Sequence, residues 1–519
     1  MNIPPNQLSS GCRPTSSDTT SLPPAWQYIL GGIMSNMEAV LSNVPKAPEK
    51  APAEFLNPKV KIAGIVAAVL VTAIILLLPT PQGLSPEGKR MAAVFLGCLI
   101  LWVTEPIPVP VTALLALIVQ PIFGIATLPV AFTNFMTPVF FFVLVMFVIS
   151  QALMNTGLDR RFALYLVARA GTDTRRVVLA IMIGTALLST IMSDVPACAI
   201  FMAIALPFFG KLGLVPGESR FAKAVMMGIP IAALIGGVGT PAGSSINIMG
   251  IYFIEQFGKV RIPFLSWMAI GMPMVVLMIP VAWYALMKFY PPEIKSIGSM
   301  DEIRKERELI SRITTNEWKV IIIMSIMIVL WILGTWVKAF DTTLIGVAGA
   351  VAMFLPGMKL FTWKQAERGT GWDALLMIGS VTSLGVASAK TGLAKWLVGL
   401  TVGGIGDLSV LWIVVVICAF TVIIHLMLPI NPAIIAVFIP PLAMLAQTTG
   451  HNPALFTLPV AFTASCAFLL PLDAVPLVTY GKGYYRMLDM FVPGAVISLV
   501  WVILMTGILM FIAPMLGLM

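Results

Sequence analysis

The sequence predicts an all-α polytopic membrane protein, and three observations carry that prediction. The first is composition. Of 519 residues, 59% are hydrophobic and 11% are charged, whereas soluble domains carry roughly 25% charged residues. The second is the form of the apolar runs. Ile62 to Leu78 and Ile321 to Trp336 are continuously apolar, without the alternation of a barrel strand. Hydrocarbon offers no hydrogen bonds to peptide groups, so such runs must be helices, each of roughly 17–25 residues. The third is duplication. Thr156-Gly157-Leu158 and Ser193-Asp194-Val195-Pro196-Ala197 are matched by Thr391-Gly392-Leu393 and Ile430-Asn431-Pro432-Ala433. The offsets are 235 residues (392 − 157) and 237 residues (431 − 194). A hydrophobic chain built twice, with a polar, proline-broken motif at the same point of each copy, implies a secondary transporter made of two repeats.

The elements follow in order. Residues 1–58 are rich in Pro, Ser and Asn and lack the basic start and apolar core of a signal peptide. They are expected to form a mainly disordered cytoplasmic tail, with an interfacial helix over Trp26 to Val44 as the alternative. Lys46, Lys50, Lys59 and Lys61 precede the first span and favour a cytoplasmic N-terminus. The first transmembrane half is read as 59–290. Its spans are Ile62 to Leu78, Met91 to Val103 and, after Pro106, Pro108 and Pro110, Val111 to Phe123. The polar start of Phe135 to Met154 (Thr133, Asn134, Thr137, Pro138) suggests a re-entrant hairpin. Val177 to Phe209 is too long for one straight helix and is read as a discontinuous helix broken at Ser193-Asp194-Val195-Pro196. Ala222 to Phe253 is broken between Gly236 and Ser245, and Phe264 to Tyr290 closes the half.

Residues 291–317 hold a dense mixture of both charges (Asp301, Glu302, Arg304, Lys305) and read as a solvated cytoplasmic linker. The second half, 318–519, repeats the plan. It has spans Val320 to Trp336 and Leu344 to Leu355, a hairpin-like stretch from Asp373 to Leu400, and Val410 to Leu445 broken at Pro429-Ile430-Asn431-Pro432. Thr457 to Tyr480 is broken at Pro471 to Pro476, and Phe491 to Pro514 is the last span. About eleven spans and two hairpins are expected. An odd number of spans between equivalent motifs inverts the second copy, the arrangement that sets two broken helices tip to tip near the midplane.

A broken helix exposes backbone groups that the helix satisfied. Its N–H ends attract anions, and its carbonyl ends suit small cations. The bland reading of each break is a proline kink without a ligand. Two copies at one offset, each followed by a second break, favour ligand sites. Asp194 and Asp473 lie deep in apolar sequence, where a carboxylate costs several kcal/mol or more. They read as cation ligands or proton carriers. The alternative ties them to helix N-termini and hydroxyls such as Ser189, Ser193 and Thr479. His425, six residues before Asn431, either senses pH or bonds between helices. Lys390, Lys395, Arg160 and Arg161 snorkel to the interface or offer an approach surface to an anion.

Other function classes are disfavoured. Basic residues crowd short loops, a topology signal, and no basic stripe interleaved with aromatics suggests nucleic acid. Cys98, Cys198, Cys418 and Cys466 sit in apolar sequence without CxxC spacing and read as packing. An intramembrane enzyme would need a catalytic set; there is no zinc motif and only 2 histidines, so no enzyme activity is expected. The glycines between Gly236 and Gly243 lack the strand and Gly-Lys of a nucleotide loop.

Leu101-Trp102-Val103-Thr104-Glu105-Pro106-Ile107-Pro108-Val109-Pro110-Val111-Thr112-Ala113-Leu114-Leu115 resembles the W-x-T-E-x-I-P-x-x-V-T-[AS]-L-L signature of the divalent anion/sodium symporter (DASS) family. Ser465-Cys466-Ala467-Phe468-Leu469-Leu470-Pro471 is similar to its S-C-A-F-M-L-P helix, and Gly481 to Met490 also fits. The likeness runs from about residue 60 to 515. It implies an elevator-type homodimer in the cell membrane, each subunit with a scaffold and a moving transport domain. That domain would carry di- or tricarboxylates or sulfate, in many members with Na⁺ and in some by exchange.

This chain departs from the family's two Ser-Asn-Thr motifs, which read here Ser193-Asp194-Val195 and Ile430-Asn431-Pro432. The companion motifs read Gly243-Ser244-Ser245-Ile246-Asn247 and Asp473-Ala474-Val475-Pro476-Leu477. By position, the resemblance implies that Ser189, Ser193, Asp194 and Gly243 frame one cation site, and that Asn431 and Asp473 help frame another. It sets Asp194, Val195, Ser244, Asn431, Pro432 and Ala474 against the substrate. Two added carboxylates would repel a dianion unless a cation or proton sits with them. The expected activity is cation-coupled transport of a small organic dianion such as a C4-dicarboxylate, with Na⁺ as coupling ion and no cofactor. The alternatives are an electroneutral or proton-coupled exchanger, or a sulfate or tricarboxylate carrier.

Overall fold

Every peptide group in hydrocarbon needs a partner within its own segment, and the chain meets this with helices throughout. The computed structural model describes residues 58–298, 312–405 and 408–518. The expected tail therefore falls almost wholly outside the described residues, as does the charge-dense part of the linker around Asp301 to Glu308. Among the described residues there is no strand, only one isolated antiparallel bridge between Asp173 and Ser296. Among the described residues, nine helical segments are long and apolar enough to cross a bilayer, and four further apolar helices have 10–17 residues.

Among the described residues, helix α1 (Pro58–Leu77) precedes two sets of ten α-helices. The first set is α2 (Pro86–Thr104), α3 (Val109–Ile122), α4 (Leu128–Phe135), α5 (Pro138–Thr156), α6 (Leu158–Ala168), α7 (Thr174–Ser189), α8 (Asp194–Lys211), α9 (Arg220–Gly237), α10 (Ser245–Phe253) and α11 (Phe264–Phe289). The second is α12 (Thr315–Leu333), α13 (Thr342–Met353), α14 (Trp363–Gly369), α15 (Trp372–Lys390), α16 (Leu393–Ile405), α17 (Val410–Met427), α18 (Asn431–Thr448), α19 (Pro453–Thr463), α20 (Ala474–Tyr480) and α21 (Phe491–Met515). Each helix of the first set has its counterpart in the second. Local signals set the ends. Ser85 accepts from the Gly88 N–H at the start of α2, Asp173 from the Arg176 N–H at α7, and Thr314 with Glu317 forms a capping box at α12.

The duplicated Thr-Gly-Leu motif is a turn. Gly157 and Gly392 adopt φ of 76° and 80°, a left-handed conformation that glycine enters without a Cβ clash. They join α5 to α6 and α15 to α16. The expected hairpins at 135–154 and 373–400 are not there: α5 and α15 are uninterrupted helices of 19 residues each. The polar residues around Thr137 mark a helix start, with Pro138 at its first position, rather than a reversal.

The reversals lie where the sequence suggested discontinuous helices. A Cβ on Gly184 of α7 would stand 2.5 Å from the ring of Phe201 on α8. Had α8 continued α7, these residues would be about 25 Å apart at 1.5 Å per residue. In the second copy the rings of Phe420 on α17 and Phe438 on α18 lie 5.2 Å apart. So α7–α8 and α17–α18 are hairpins, turning over residues 190–193 and 428–430. By contrast α9–α10 and α19–α20 are true interrupted helices. Their short second halves are exchanged: α10 packs on α18 and α19 of the other copy, and α20 packs on α8 and α9. Counted as one pass each, α2, α3, α5, α9 with α10, and α11 make five, the hairpin adding none, and an odd number inverts the second copy.

The interrupted segments are held by close backbone contacts. A Cβ on Gly236 would lie 2.2 Å from the Ala186 carbonyl oxygen. Arg161 on α6 binds Glu317 at the start of α12, Nε to Oε1 at 2.6 Å and Nη2 to Oε2 at 2.9 Å, and Glu317 is 2% exposed.

Two stability predictions follow from these contacts. Gly236→Ala forces the α7 and α9 backbones apart and costs about 1–3 kcal/mol, read as a lower unfolding midpoint of the purified protein in detergent. Arg161→Ala strands a buried carboxylate and costs about 3–5 kcal/mol; Arg161→Ala with Glu317→Gln recovers part of that loss in the same assay.

Candidate functional site

Hairpin α7–α8 ends in four residues without a glycine. Thr190 still caps α7, its hydroxyl donating to the Leu187 carbonyl at 2.7 Å. Ser193 takes the N-cap position of α8 without a side-chain cap bond. Asp194, first residue of α8, is 5% exposed. Its Oδ1 lies 2.7 Å from Ser189 Oγ, which also lies 2.8 Å from the Ala233 carbonyl oxygen on α9. Ser244 also faces this carboxylate. Gly237 is the floor: a Cβ there would lie 2.0 Å from Asp194 Oδ1. Gly243 lies against Ser189 and Gly237, its would-be Cβ 2.8 Å from the Ser189 oxygen and 2.4 Å from that of Gly237.

The break between α9 and α10 is laced by side chains. Asn247 Nδ2 donates to the Gly237 carbonyl at 2.7 Å and the Thr240 carbonyl at 2.8 Å. Thr240 Oγ1 donates to the Thr190 carbonyl at 2.6 Å, and Trp267 Nε1 to the Val238 carbonyl at 2.9 Å. Asn247 Oδ1 is buried with no hydrogen-bond partner.

At the other tip, Asn431 begins α18 and is 4% exposed, as is His425 on α17. Asn431 Oδ1 and His425 Nε2 are 2.5 Å apart. Asp473, 9% exposed, caps α20 by accepting from the Val475 N–H at 3.4 Å. Thr479 does not reach it; that hydroxyl bonds Pro476 and Tyr485. The His425 face of α17 lies against the segment Cys466 to Leu472 with no room for a water molecule between them.

The two tips are linked through Asp473 and the start of α20. Asp194 lies within electrostatic reach of Asp473, and Asp473 within reach of His425. Cys198 on α8 donates to the Val475 carbonyl on α20 at 3.6 Å. Of the residues the sequence pointed to, Ser189, Asp194, Gly243, Ser244, Asn431, Pro432 and Asp473 are buried, Ser193 is half-buried, and Val195 and Ala474 are exposed. Sequence reasoning gave no role to Gly237, Thr240 or Asn247. The Gly-Gly at the end of α9 and the lone Asn in the first turn of α10 were the available signals.

A family model described as sodium:sulfate symporter transmembrane region matches residues 59–519. The chain is 28% identical to the sodium-dependent dicarboxylate transporter SdcS of Staphylococcus saprophyticus, over 88% of this chain and 92% of that protein. It is 26% identical to a membrane protein of Cupriavidus necator, over 79% and 84%. It is 25% identical to SdcS of Staphylococcus aureus strain RF122, over 88% and 91%. With two interrupted helices and two hairpins that bear buried polar residues, and a family-model match from residue 59 to 519, the chain belongs to the sodium:sulfate symporter family, a family of membrane transporters rather than of enzymes.

Proposed function

We propose that this chain is a Na⁺-coupled secondary transporter of small organic dianions such as C4-dicarboxylates. The observation that carries the reading is that Asp194 and Asp473, buried and one from each repeat, lie within electrostatic reach of each other, next to the exposed Val195 and Ala474. Two carboxylates and a dianion in one low-dielectric place repel strongly unless cations accompany them. Na⁺ at each tip removes that repulsion and ties the anion's passage to the ion's. In this reading Ser189, Ser193, Asp194 and Gly243 hold one ion, and Asn431 and Asp473 help hold the other. Asp194, Val195, Ser244, Asn431, Pro432 and Ala474 border the substrate. Unwound backbone and hydroxyls are the usual oxygen donors for Na⁺ in such carriers. The relatives named sodium-dependent dicarboxylate transporters support the choice of ion and anion. The protein works as a homodimer in the cell membrane with its N-terminus in the cytoplasm, moving its site by an elevator-like displacement, and needs no cofactor.

One observation favours the second reading, proton-coupled transport or exchange. Ser189 Oγ has a single hydrogen yet lies within hydrogen-bond distance of two acceptors, Asp194 Oδ1 and the Ala233 carbonyl. A proton on Asp194 supplies the missing donor.

Uptake into proteoliposomes separates the readings. Succinate, malate, citrate and sulfate are offered with Na⁺ and pH gradients imposed separately. Succinate uptake driven by inward Na⁺ is expected; equal uptake without Na⁺ rejects the sodium coupling, and uptake driven by protons alone selects the second reading. Asp194→Asn is expected to abolish the Na⁺ stimulation, and unaltered stimulation removes that carboxylate from the coupling site. Gly237→Ala displaces the same carboxylate and is expected to lower kcat/KM by about 10²-fold, the scale for a misplacement of roughly 1 Å; a variant that folds and transports at the normal rate rejects the packing role of Gly237.

A further inference from the structure

Resting on the transport reading above, we propose that His425 is a positioning residue that fixes the Asn431 side-chain amide with its NH₂ toward the solute, so that Asn431 serves as an anion donor and not as a cation ligand.

The argument begins with which atom can donate. An amide oxygen only accepts, so the 2.5 Å contact between His425 Nε2 and Asn431 Oδ1 requires the hydrogen to be on Nε2. Both side chains are 4% exposed, and α17 and α18 are antiparallel arms of one hairpin. The imidazole is therefore held at a set place relative to the first residue of α18. Its N–H engages Oδ1 and turns the other arm of the amide away. Among the described residues no acceptor is placed on Asn431 Nδ2.

The tip also lacks backbone donors. Pro432, at the second position of α18, has no N–H. The Ala433 and Ile434 N–H groups both donate to the Ile430 carbonyl, at 3.0 and 3.3 Å. A helix start that would ordinarily present four free N–H groups is left with those of Ile430 and Asn431. A side-chain NH₂ turned outward restores donors where proline and the turn remove them. Oδ1, already engaged by the imidazole, is a poorer ligand for Na⁺ than a free carbonyl. This divides the two roles that Asn431 carries in the transport reading.

The test compares His425→Leu, which removes the donor, with His425→Gln, whose Nε2–H can reach the same oxygen. Each is reconstituted and assayed for succinate KM, maximal rate and Na⁺ half-saturation. Leu is expected to raise the succinate KM about tenfold or more, the scale of one lost charge-assisted hydrogen bond, with Na⁺ half-saturation unchanged, and Gln to recover most of the loss. If Leu is not monodisperse after extraction, His425→Met fills similar space without an N–H and takes its place. An unchanged succinate KM, equal behaviour of Leu and Gln, or a Na⁺ half-saturation shifted as far as the succinate KM each overturns the assignment; the last would put Oδ1 on the cation. A wild-type protein whose thermal stability responds neither to succinate nor to sulfate, with Na⁺ present, sinks the transport reading and this assignment together, before any variant is compared.

Discussion

A helix stopped inside hydrocarbon leaves peptide donors and acceptors that neither lipid nor the helix can satisfy. Most of the architecture around the α9–α10 break answers that need. The Gly237, Val238 and Thr240 carbonyls receive hydrogens from Asn247 and Trp267, and the neighbouring hairpin's Thr190 carbonyl receives one from Thr240. The other copy uses the same device in altered form: Trp501 Nε1 donates to Thr463 Oγ1 at 3.2 Å, and Gly494 lets α21 lie against the Phe468 carbonyl. Each break is thus braced by the long helix that follows it, α11 or α21.

Bracing leaves a few polar atoms unspent, and these define where chemistry can occur. Asn247 Oδ1 and Ser465 Oγ are buried without partners, both in interrupted segments. Ser189 Oγ faces more acceptors than it has hydrogens. The site is oxygen-rich and carboxylate-bearing, and among the described residues shown around it there is a histidine, His425, but no lysine or arginine. An anion reaching it would depend on amide and hydroxyl donors and on whatever positive charge travels with it.

Much of this was legible in the chain. The 235-residue offset located both copies because the Thr-Gly-Leu turns demand a glycine at the same place in each. Asp194 and Asp473 stood out because carboxylates are costly in apolar sequence. The direction of the chain after each tip was not legible. Hydropathy records how apolar a residue is, not whether the next helix runs on or returns. The tips, Thr190-Ile191-Met192-Ser193 and Leu428-Pro429-Ile430, hold no glycine and no Asn-Gly or Asp-Gly pair to announce a reversal. Only contacts such as Gly184 with Phe201 and Phe420 with Phe438 reveal it. His425 was ambiguous for the same reason, since its meaning depends on Asn431 folding back beside it.

The exchange of α10 and α20 has a consequence for how such a chain can change. Each short helix packs against helices encoded by the opposite half. A substitution on either side meets residues of the opposite half, as Gly250 meets Ile435 and Ala461. The halves therefore cannot drift apart independently, and an acidic side chain gained by one must be accommodated in the surroundings that the other provides.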